Sequence, residues 1–345
     1  MKEYAKMNNI YDYTFDDLNA IFEKNNFKPY LTKQVFKWIY ESYISDFSEM
    51  TNISKNNIDW LKENFEIKKL KPIIIKEDID ETIKILFELD DKNKIETVIM
   101  KFNYGYSVCL TTQVGCNIGC KFCASGQLKK KRDLTVGEII AQVMWVKEKL
   151  REKDQELRNI VVMGIGEPFD NYENLKKFLT IVNKDLKIGA RKITVSTSGI
   201  MKVMPDWIKN FSQIGLAISL HASNDKIRSE IMPINNAYNI DSIINNMKEY
   251  TEITKRRVTF EYILLDGIND SRENAIELAG LLKNILCYVN LIPYNKVVGS
   301  EFSRSKKIKD FYDILRENNI TATIRQEKGT SIDGACGQLR AKLER

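Results

Sequence analysis

The segment that most constrains this chain is residues 116–123, which read Cys-Asn-Ile-Gly-Cys-Lys-Phe-Cys. Its cysteines, Cys116, Cys120 and Cys123, are separated by three and then two residues. Thiolates are the usual protein ligands of iron–sulfur clusters. Three of them can hold a cubane [4Fe–4S] cluster and leave its fourth iron open to a second molecule. The spacing therefore predicts an iron–sulfur centre with one free coordination position.

Two other interpretations of these cysteines stay open at this point. A structural zinc ion usually has four protein ligands, often arranged as two Cys-x₂-Cys pairs. This sequence has no second pair, and its single histidine, His221, lies far along the chain. Thiols that pack in a core are the second alternative. A disulfide knot is not expected, because nothing marks the chain as secreted.

The composition predicts a cytoplasmic globular protein that can accept a polyanionic partner. The 345 residues, with 43% apolar content, suffice for one large domain and an accessory one. Residues 1–18 are polar, unlike a signal peptide, and no stretch approaches the roughly 18 apolar residues of a membrane span. Six cysteines then indicate a reducing compartment. The net charge of +6 permits nucleic-acid binding, and a monomer is the default expectation.

Periodicity divides the chain into a helical first part and a β-rich remainder. Residues 15–25, 33–43 and 54–65 carry apolar residues at helical spacing, with Thr14 as an N-cap. Two runs of period two flank a polar turn and predict a β-hairpin, at residues 82–89 and 94–102. Later strands are expected at 107–112, 159–164, 192–197, 216–221, 257–265, 288–293 and 321–326. Helices are expected between them at 136–149, 172–182, 240–251, 272–284 and 308–318.

Repeated strand–helix units predict an α/β fold with a parallel sheet and right-handed crossovers. Six such units indicate a partial (β/α)₆ barrel with an N-terminal helical accessory domain and a β-hairpin extension. The predicted divisions are residues 1–70 for the helical domain, 71–105 for the hairpin, 106–300 for the barrel and 301–345 for a C-terminal segment. Loops at the carboxyl ends of parallel strands carry chemistry in such folds. The cysteine loop follows the first of these strands.

Polar groups end several other predicted strands. Residues 163–168 read Met-Gly-Ile-Gly-Glu-Pro, in which glycine lets the backbone approach a ligand and Glu167 offers a carboxylate to an ammonium group. An ordinary strand-to-helix turn is the alternative. Ser196, Ser219, His221 and Asn295 end or follow further strands, and each could instead cap the next helix or hold the backbone.

Three cysteines lie outside the motif. A lone cysteine is usually a small buried hydrophobe, and this is expected of Cys287 and, taken by itself, of Cys109. Cys336 stands between glycines at 334 and 337, in a segment poor for core packing and easy to approach.

Taken together, these motifs resemble the radical S-adenosylmethionine (SAM) adenine C2 methyltransferases of the RlmN type. The resemblance covers about residues 81–339. Its matches are residues 95–98, 113–124, 163–168, 196–199, 216–221, 224–225, 231–235, 290–295 and 334–339. In radical SAM enzymes the open iron chelates SAM, and the reduced cluster cleaves it to a 5′-deoxyadenosyl radical. The family methylates carbon 2 of adenosine 2503 in 23S rRNA, and often adenosine 37 of certain tRNAs.

The resemblance implies a role for each matched residue. Cys116, Cys120 and Cys123 would hold the cluster. The residues that would contact SAM are Gly166, Glu167, Ser196, Ser219, Leu220, His221 and Asn295. Glu96, Cys109 and Cys336 would be catalytic. A flavodoxin-like electron donor is the family expectation.

The implied chemistry is a route that uses two SAM molecules, because electron-poor carbon 2 cannot attack the SAM sulfonium. Cys336 would take a methyl group from the first SAM. The radical from the second would activate that group, which would add to the base and cross-link RNA to protein. Glu96, expected beside the hairpin in an exposed position, would remove the carbon 2 proton. Cys109 would then form a disulfide with Cys336 and release the product, which requires Cα atoms about 4.4–6.8 Å apart.

The RNA must present an unstacked base. The helical domain and the run Lys129-Lys130-Lys131-Arg132 are the candidates for backbone contact, although such a run is often a solvated face. Three other functions remain as alternatives: carbon 8 methylation, as in the Cfr resistance enzymes, a different radical SAM reaction, and zinc or RNA binding without catalysis.

Overall fold

The amino-terminal part of the chain is helical in the computed structural model, which describes residues 7–332. A short parallel pair and three helices form it: β1 (Asn8–Asn9), α1 (Phe15–Lys24), α2 (Tyr30–Tyr40), α3 (Lys55–Asn64) and β2 (Phe65–Glu66). Thr14 caps α1 as predicted, because its hydroxyl accepts from the Asp17 amide while the Asp17 carboxylate accepts from the Thr14 amide. The three predicted helices are confirmed, with small shifts at their ends.

Four antiparallel strands form one side of a ten-stranded sheet. They are β3 (Lys71–Glu77), β4 (Ile83–Glu88), β5 (Lys94–Phe102) and β6 (Gly105–Cys109). β4 and β5 pair with Leu86 opposite Glu96, which confirms the predicted hairpin. Because β5 also pairs with β6, the hairpin is continuous with the rest of the sheet.

Six more strands extend the sheet from β6, after a short antiparallel pair of β7 (Gln113–Val114) with β8 (Arg132–Asp133). They are β9 (Leu157–Val162), β10 (Ile193–Thr197), β11 (Gly215–Ser219), β12 (Val258–Leu264), β13 (Cys287–Pro293) and β14 (Ala322–Ile324). The sheet order is β14-β13-β12-β11-β10-β9-β6-β5-β4-β3, so that β14 and β3 are its edges. All pairs from β6 to β14 are parallel. The α/β class and the partial barrel are therefore confirmed.

Helices connect the parallel strands. They are α4 (Val136–Arg151), α5 (Tyr172–Thr180), α6 (Met204–Phe211), α7 (Asp225–Ile231), α8 (Ile240–Thr254), α9 (Arg272–Leu282) and α10 (Ile308–Glu317). The sequence pattern missed α6 and α7, which have eight and seven residues. Helices this short contain about two turns, too few for a clear apolar period.

The two faces of the parallel strands differ in character because successive side chains point in opposite directions. In β10, Ile193 and Val195 are fully buried, whereas Thr194 and Ser196, which alternate with them, are only partly buried. The apolar face packs in the core, and the more polar face borders the space inside the partial barrel, called the lumen below. The carboxyl end of the lumen lies where these strands finish, and the amino end where they begin.

The helical region rests on α4. The Gly137 amide in the first turn of α4 donates to Asp12 Oδ1 at 2.6 Å, and a Cβ at this glycine would lie 2.2 Å from Asn9 Nδ2. Lys69 Nζ lies 3.1 Å from Glu148 Oε1. These contacts join the two parts of the chain, while the predicted domain limits stay predictions. Among residues 7–332, no helix has the length and apolar character needed to cross a membrane.

Candidate active site

The cysteine loop stands at the carboxyl end of the lumen, directly after β6 and β7. The β7–β8 pair closes its base, and the Cys116 amide donates to the Leu128 carbonyl at 2.9 Å. Gly115 has φ +87°, and a Cβ there would lie 2.2 Å from the Lys129 carbonyl oxygen. Only glycine combines this left-handed backbone with so close an approach. The loop is therefore held as a compact structure around its thiols.

The three thiols of the loop lie close enough to affect one another. Burial, together with smaller contributions from Cys123 and Glu167, raises the pKa of Cys116 to about 12. Burial also raises the pKa of Cys120 well above its usual value, and the Arg228 guanidinium acts against that rise. Buried thiolates need a cationic partner to exist as anions. A soft, thiolate-binding iron–sulfur cluster fits this donor set.

The arrangement of the loop differs from a single-ion site. Within residues 7–332, no group of three or more His, Cys, Asp or Glu side chains is gathered to hold one metal ion. A cubane cluster binds its thiolates at separate corners and does not require such a gathering.

Arg228 in α7 holds the strand ends beside the cysteine loop. It is fully buried, and all five of its N–H groups donate to protein oxygens. The acceptors are the carbonyls of Ser198, Ser219, Leu220 and Tyr238 and the side chain of Asn235. The guanidinium thus ties the ends of β10 and β11 to the following helix.

Gly166 and Glu167 lie one strand away from the cysteine loop, after β9. Gly166 has φ +108°, and a Cβ there would lie 2.6 Å from the Gln113 Cβ. Glu167 is 3% exposed, and its carboxylate accepts from the Phe169 amide at 2.9 Å and from the Ser198 amide at 2.6 Å. Burial raises the pKa of this carboxyl, and the Ser198 and Phe169 amides act in the opposite direction. The glycine is required here, and the carboxylate position is fixed by backbone bonds.

The serines proposed for SAM contact lie side by side on neighbouring strands. Ser196 Oγ and Ser219 Oγ are 3.4 Å apart. Leu220 follows Ser219 and is fully buried. His221 has φ +58°, and its Nδ1 accepts from the Ile263 amide at 3.0 Å. The proton of the neutral ring is therefore on Nε2.

His221 is held as a neutral ring. Burial, with a smaller contribution from the nearby Arg228 charge, lowers its pKa to about 3. The ring of Phe122, from the cysteine loop, packs edge-on against it with centroids 5.0 Å apart. A neutral, hydrogen-bonded imidazole can orient its neighbours, but it cannot serve as an acid–base group near pH 7.

One cavity of about 810 Å³ unites several of the predicted residues. Cys109, Cys123 and Asn295 all line it. Pockets for small ligands generally measure 300–1,000 Å³. The lumen therefore brings the cysteine of β6, one cysteine of the loop and the asparagine after β13 to a single space that can hold a ligand.

Glu96 differs from its expected exposure. Its side chain is 1% exposed, and Oε2 lies 3.1 Å from Nζ of Lys84, which is 0% exposed. In the sheet, Glu96 stands two residues before Val98, which pairs with Cys109. The period of two puts the Glu96, Val98 and Cys109 side chains on the same face of the sheet. Glu96 was expected to be solvated, and that expectation is wrong because the inward face of β5 buries it with a counter-ion.

The basic run after the cysteine loop is largely neutralised. Lys130 Nζ lies 2.8 Å from Asp133 and 2.7 Å from Asp170, and Arg132 pairs with Asp91 and Glu138. Hydrogen bonds to Glu138 raise the pKa of Arg132 and outweigh its burial, which lowers the pKa. Lys129 and Lys131 are exposed. The run therefore offers less free positive charge than its four basic residues predict.

Some functional candidates are not among the sequence-predicted residues. Lys84 and Arg228 have no motif signal, because a lysine in a β-strand and an arginine in a short polar helix are normally exposed. Cys336 lies outside the described residues, so its contact with Cys109 stays a prediction. The remaining Cys287 is half-buried, and burial raises its pKa to about 11.

Family models match both parts of the chain. Residues 110–279 match the radical SAM superfamily, and residues 8–67 match the ribosomal RNA large subunit methyltransferase N-terminal domain. The first match contains the cysteine loop, and the second contains the three amino-terminal helices.

Similar proteins match nearly the whole chain. A protein of Malacoplasma penetrans (strain HF-2) with the name "Probable dual-specificity RNA methyltransferase RlmN" is 53% identical, over 97% of this chain and 97% of its own length. A protein of the same name from Enterococcus faecalis (strain ATCC 700802 / V583) is 52% identical, over 96% of each. The crystal structure of a radical SAM methyltransferase from Sphaerobacter thermophilus is similar with a TM-score of 0.92 and 41% identity, over 97% of this chain and 99% of that one.

Proposed function

We propose that this chain, which belongs to the RlmN family of radical SAM RNA methyltransferases, methylates carbon 2 of an adenosine in RNA. The targets are adenosine 2503 of 23S rRNA and adenosine 37 of some tRNAs. The family uses a [4Fe–4S] cluster and SAM, so this enzyme does as well. We expect it to act in the cytoplasm as a monomer that receives electrons from a flavodoxin-like donor.

The observation that carries this proposal is the shared cavity. Cys109 and Cys123 line the same space of about 810 Å³ although they belong to different elements, β6 and the cysteine loop. A radical SAM enzyme that modifies some other substrate has no need for a thiol at the position of Cys109. A thiol there is useful when a second cysteine must be released from a covalent adduct.

The residues around the lumen divide between cofactor binding and catalysis. Cys116, Cys120 and Cys123 hold the cluster. The groups that bind SAM are Gly166, Glu167, Ser196, Ser219, Leu220, His221 and Asn295. When bound, the cluster and SAM together supply a 5′-deoxyadenosyl radical. The chain's own task is to hold SAM, the methyl-carrying thiol and the base in one water-poor space.

The thiol chemistry requires two cysteines in succession. The Cys336 thiolate attacks the SAM methyl group, and the electron pair of the broken carbon–sulfur bond stays with the departing homocysteine sulfur. After the 5′-deoxyadenosyl radical has removed a hydrogen atom from the S-methyl group, the methylene carbon would add to carbon 2 of the base. The adduct that links RNA to protein would then return one electron to the oxidised cluster and give up its carbon 2 proton. The Cys109 thiolate then attacks the Cys336 sulfur and forms a disulfide. The carbon leaves with the electron pair of the broken carbon–sulfur bond and takes up a proton, which makes it the methyl group of the base. An external thiol must reduce that disulfide before the next turnover.

Glu96 accepts the proton from carbon 2. Its carboxylate lies on the same face of the sheet as Cys109 and is held 3.1 Å from the Lys84 ammonium. The ion pair keeps the carboxylate in a fixed orientation within a dry region, which suits a positioned base. Lys84 does not touch the base and acts as a positioning residue for Glu96.

The test is anaerobic turnover with SAM labelled in its methyl group, on a 23S rRNA fragment and on tRNA in separate reactions. Mass spectrometry of the digested nucleosides identifies the product, and we expect 2-methyladenosine. A product of 8-methyladenosine would instead assign the carbon 8 reaction, and labelled protein without labelled RNA would indicate a different radical SAM enzyme.

Two cysteine variants accompany this experiment, Cys336→Ala as the test and Cys287→Ala as its control. Cys336→Ala should abolish methyl transfer to RNA, because the methyl carrier is gone. Cys287→Ala should retain it, because Cys287 neighbours Tyr288, which lines the cavity, and so points to the opposite face of β13. RNA methylation at the normal rate by Cys336→Ala would show that the methyl group travels by another route.

A further inference from the structure

A basic patch surrounds the amino end of the lumen, opposite the cysteine loop. Two connections lead into parallel strands there, residues 186–192 before β10 and 255–257 before β12. They contain no acidic residue and six basic ones: Lys187, Arg191, Lys192, Lys255, Arg256 and Arg257. None of the six forms an ion pair with any residue in the range 7–332. These six residues, called the basic patch below, carry free positive charge, unlike Lys130 and Arg132.

The basic patch borders the cavity that reaches the proposed reacting thiol. Arg191 and Lys192 line the cavity, and so does Tyr288. The Arg257 guanidinium lies 5.0 Å from the centre of the Tyr288 ring. Because Cys109 lines the same cavity, one continuous space leads from the basic patch to that thiol.

An exposed aromatic ring stands at the same end. Phe102 ends β5, and Tyr104 lies in the turn before β6. Their rings are stacked, with centroids 5.1 Å apart and an interplanar angle of 7°. Both line the cavity, and Tyr104 is 57% exposed. Flat rings beside cations are the usual platform for unstacked bases in proteins that bind single-stranded nucleic acids.

Packed side chains border the opposite end of the lumen. Phe122 packs against His221 and belongs to a buried apolar cluster with Tyr294 and Val297. A nucleotide entering from the carboxyl end would have to displace this cluster. Entry from the amino end meets exposed cations and an exposed ring instead.

We propose that the basic patch is the docking surface for the substrate RNA, and that the target adenosine enters the lumen through the amino end. The phosphates that flank the adenosine stay outside on the basic patch, and Tyr104 stacks on a base next to it. This inference rests on the proposed function and adds the binding surface for its substrate. A looped or single-stranded segment fits best, because only an unstacked nucleotide can reach into the lumen.

The experiment compares three double variants with the full-length holoenzyme, each losing two positive charges. Arg191→Gln/Lys192→Gln removes two members of the basic patch. Lys226→Gln/Lys306→Gln removes two exposed cations from segments that follow β11 and β13 at the carboxyl end. Lys129→Gln/Lys131→Gln removes the two exposed members of the basic run. Binding of a 23S rRNA fragment containing adenosine 2503 is measured from low to high salt.

We expect a specific loss in the basic-patch variant. Each contact with a phosphate of single-stranded RNA contributes about 0.7 to the slope of log affinity against log salt concentration. Removing two contacts should make that slope shallower by about 1.4 and raise the KM for RNA. The turnover number at saturating RNA, the iron content and SAM cleavage without RNA should stay unchanged. Tyr104→Ala should weaken binding roughly 5- to 150-fold, and Tyr104→Phe should restore it.

The outcomes separate this inference from the proposed function. An unchanged salt slope in the basic-patch variant, with normal methylation by the unaltered enzyme, overturns the docking surface alone. An equal loss in the carboxyl-end variant also overturns it, because the effect would then follow net charge. If the unaltered enzyme neither binds nor methylates RNA, the proposed function fails and this inference fails with it.

Discussion

Replacing Arg228 with lysine tests how the strand ends of the active site are held. The guanidinium makes five hydrogen bonds from a fully buried position, between 2.6 and 3.3 Å long. A lysine ammonium has three donors, so at least two of the five bonds are lost. Hydrogen bonds to a charged group contribute about 1.5–3 kcal/mol each. Arg228→Lys should therefore lower the free energy of unfolding by about 3–6 kcal/mol, a large share of the roughly 5–15 kcal/mol of an ordinary domain.

The assay is a urea titration of the full-length chain, in which the midpoint and slope give the free energy of unfolding. Arg191→Lys is the matched control, because Arg191 is exposed and should change stability by less than about 0.5 kcal/mol. SAM affinity is measured in parallel, since the bonded carbonyls belong to the strand ends at Ser198, Ser219 and Leu220. If Arg228→Lys unfolds within about 1 kcal/mol of the unaltered chain, these bonds do not hold the site and the reasoning is wrong.

A buried ion pair, a buried histidine and a glycine of the active site give three further predictions. Lys84→Met should cost about 3–5 kcal/mol of stability because it leaves the buried Glu96 carboxylate without its ammonium partner. Lys84→Met/Glu96→Leu should regain part of that loss in the same urea assay, but it should not methylate RNA because it lacks the Glu96 carboxylate. His221 stays neutral in the folded protein, with a pKa of about 3, whereas a histidine of the unfolded chain binds a proton below about pH 6.5. The free energy of unfolding should therefore fall by about 2 kcal/mol from pH 8 to pH 5. An equally steep fall in His221→Asn, which lacks the titrating ring, would refute this. Gly166→Ala should lower the free energy of unfolding by about 1–3 kcal/mol and weaken SAM binding, because φ is +108° and the new Cβ would lie 2.6 Å from the Gln113 Cβ. The control is Gly280→Ala, in open space on α9, which should raise the free energy of unfolding by about 0.5–1 kcal/mol.

Local patterns predicted the architecture well. The hairpin of β4 and β5 and the alternation of strands with helices follow from short-range periodicity, which a single sequence displays directly. The cysteine loop was predictable because the number and spacing of ligands decide which metal centre fits. The position of this loop after the first parallel strand then placed the site at the carboxyl end of the sheet.

Long-range pairing was beyond the sequence. Nothing local distinguishes Lys84 from a solvated strand lysine, and its burial depends on Glu96 in the next strand. Arg228 belongs to a seven-residue helix without a clear apolar period, yet its acceptors come from two other strand ends. The charge of Lys130 is cancelled by Asp170, forty positions away. Each of these facts requires the three-dimensional fold, since the partners are distant in the chain.

The central claim is that the methyl carbon passes from a cysteine of this protein to carbon 2 of adenine. It is tested most directly by anaerobic turnover of Cys109→Ala with the 23S rRNA fragment, followed by mass spectrometry of the protein. The account predicts that RNA stays covalently attached at Cys336 through one added carbon, because no thiol is present to release it. Free 2-methyladenosine at the normal rate, without such an adduct, would contradict it.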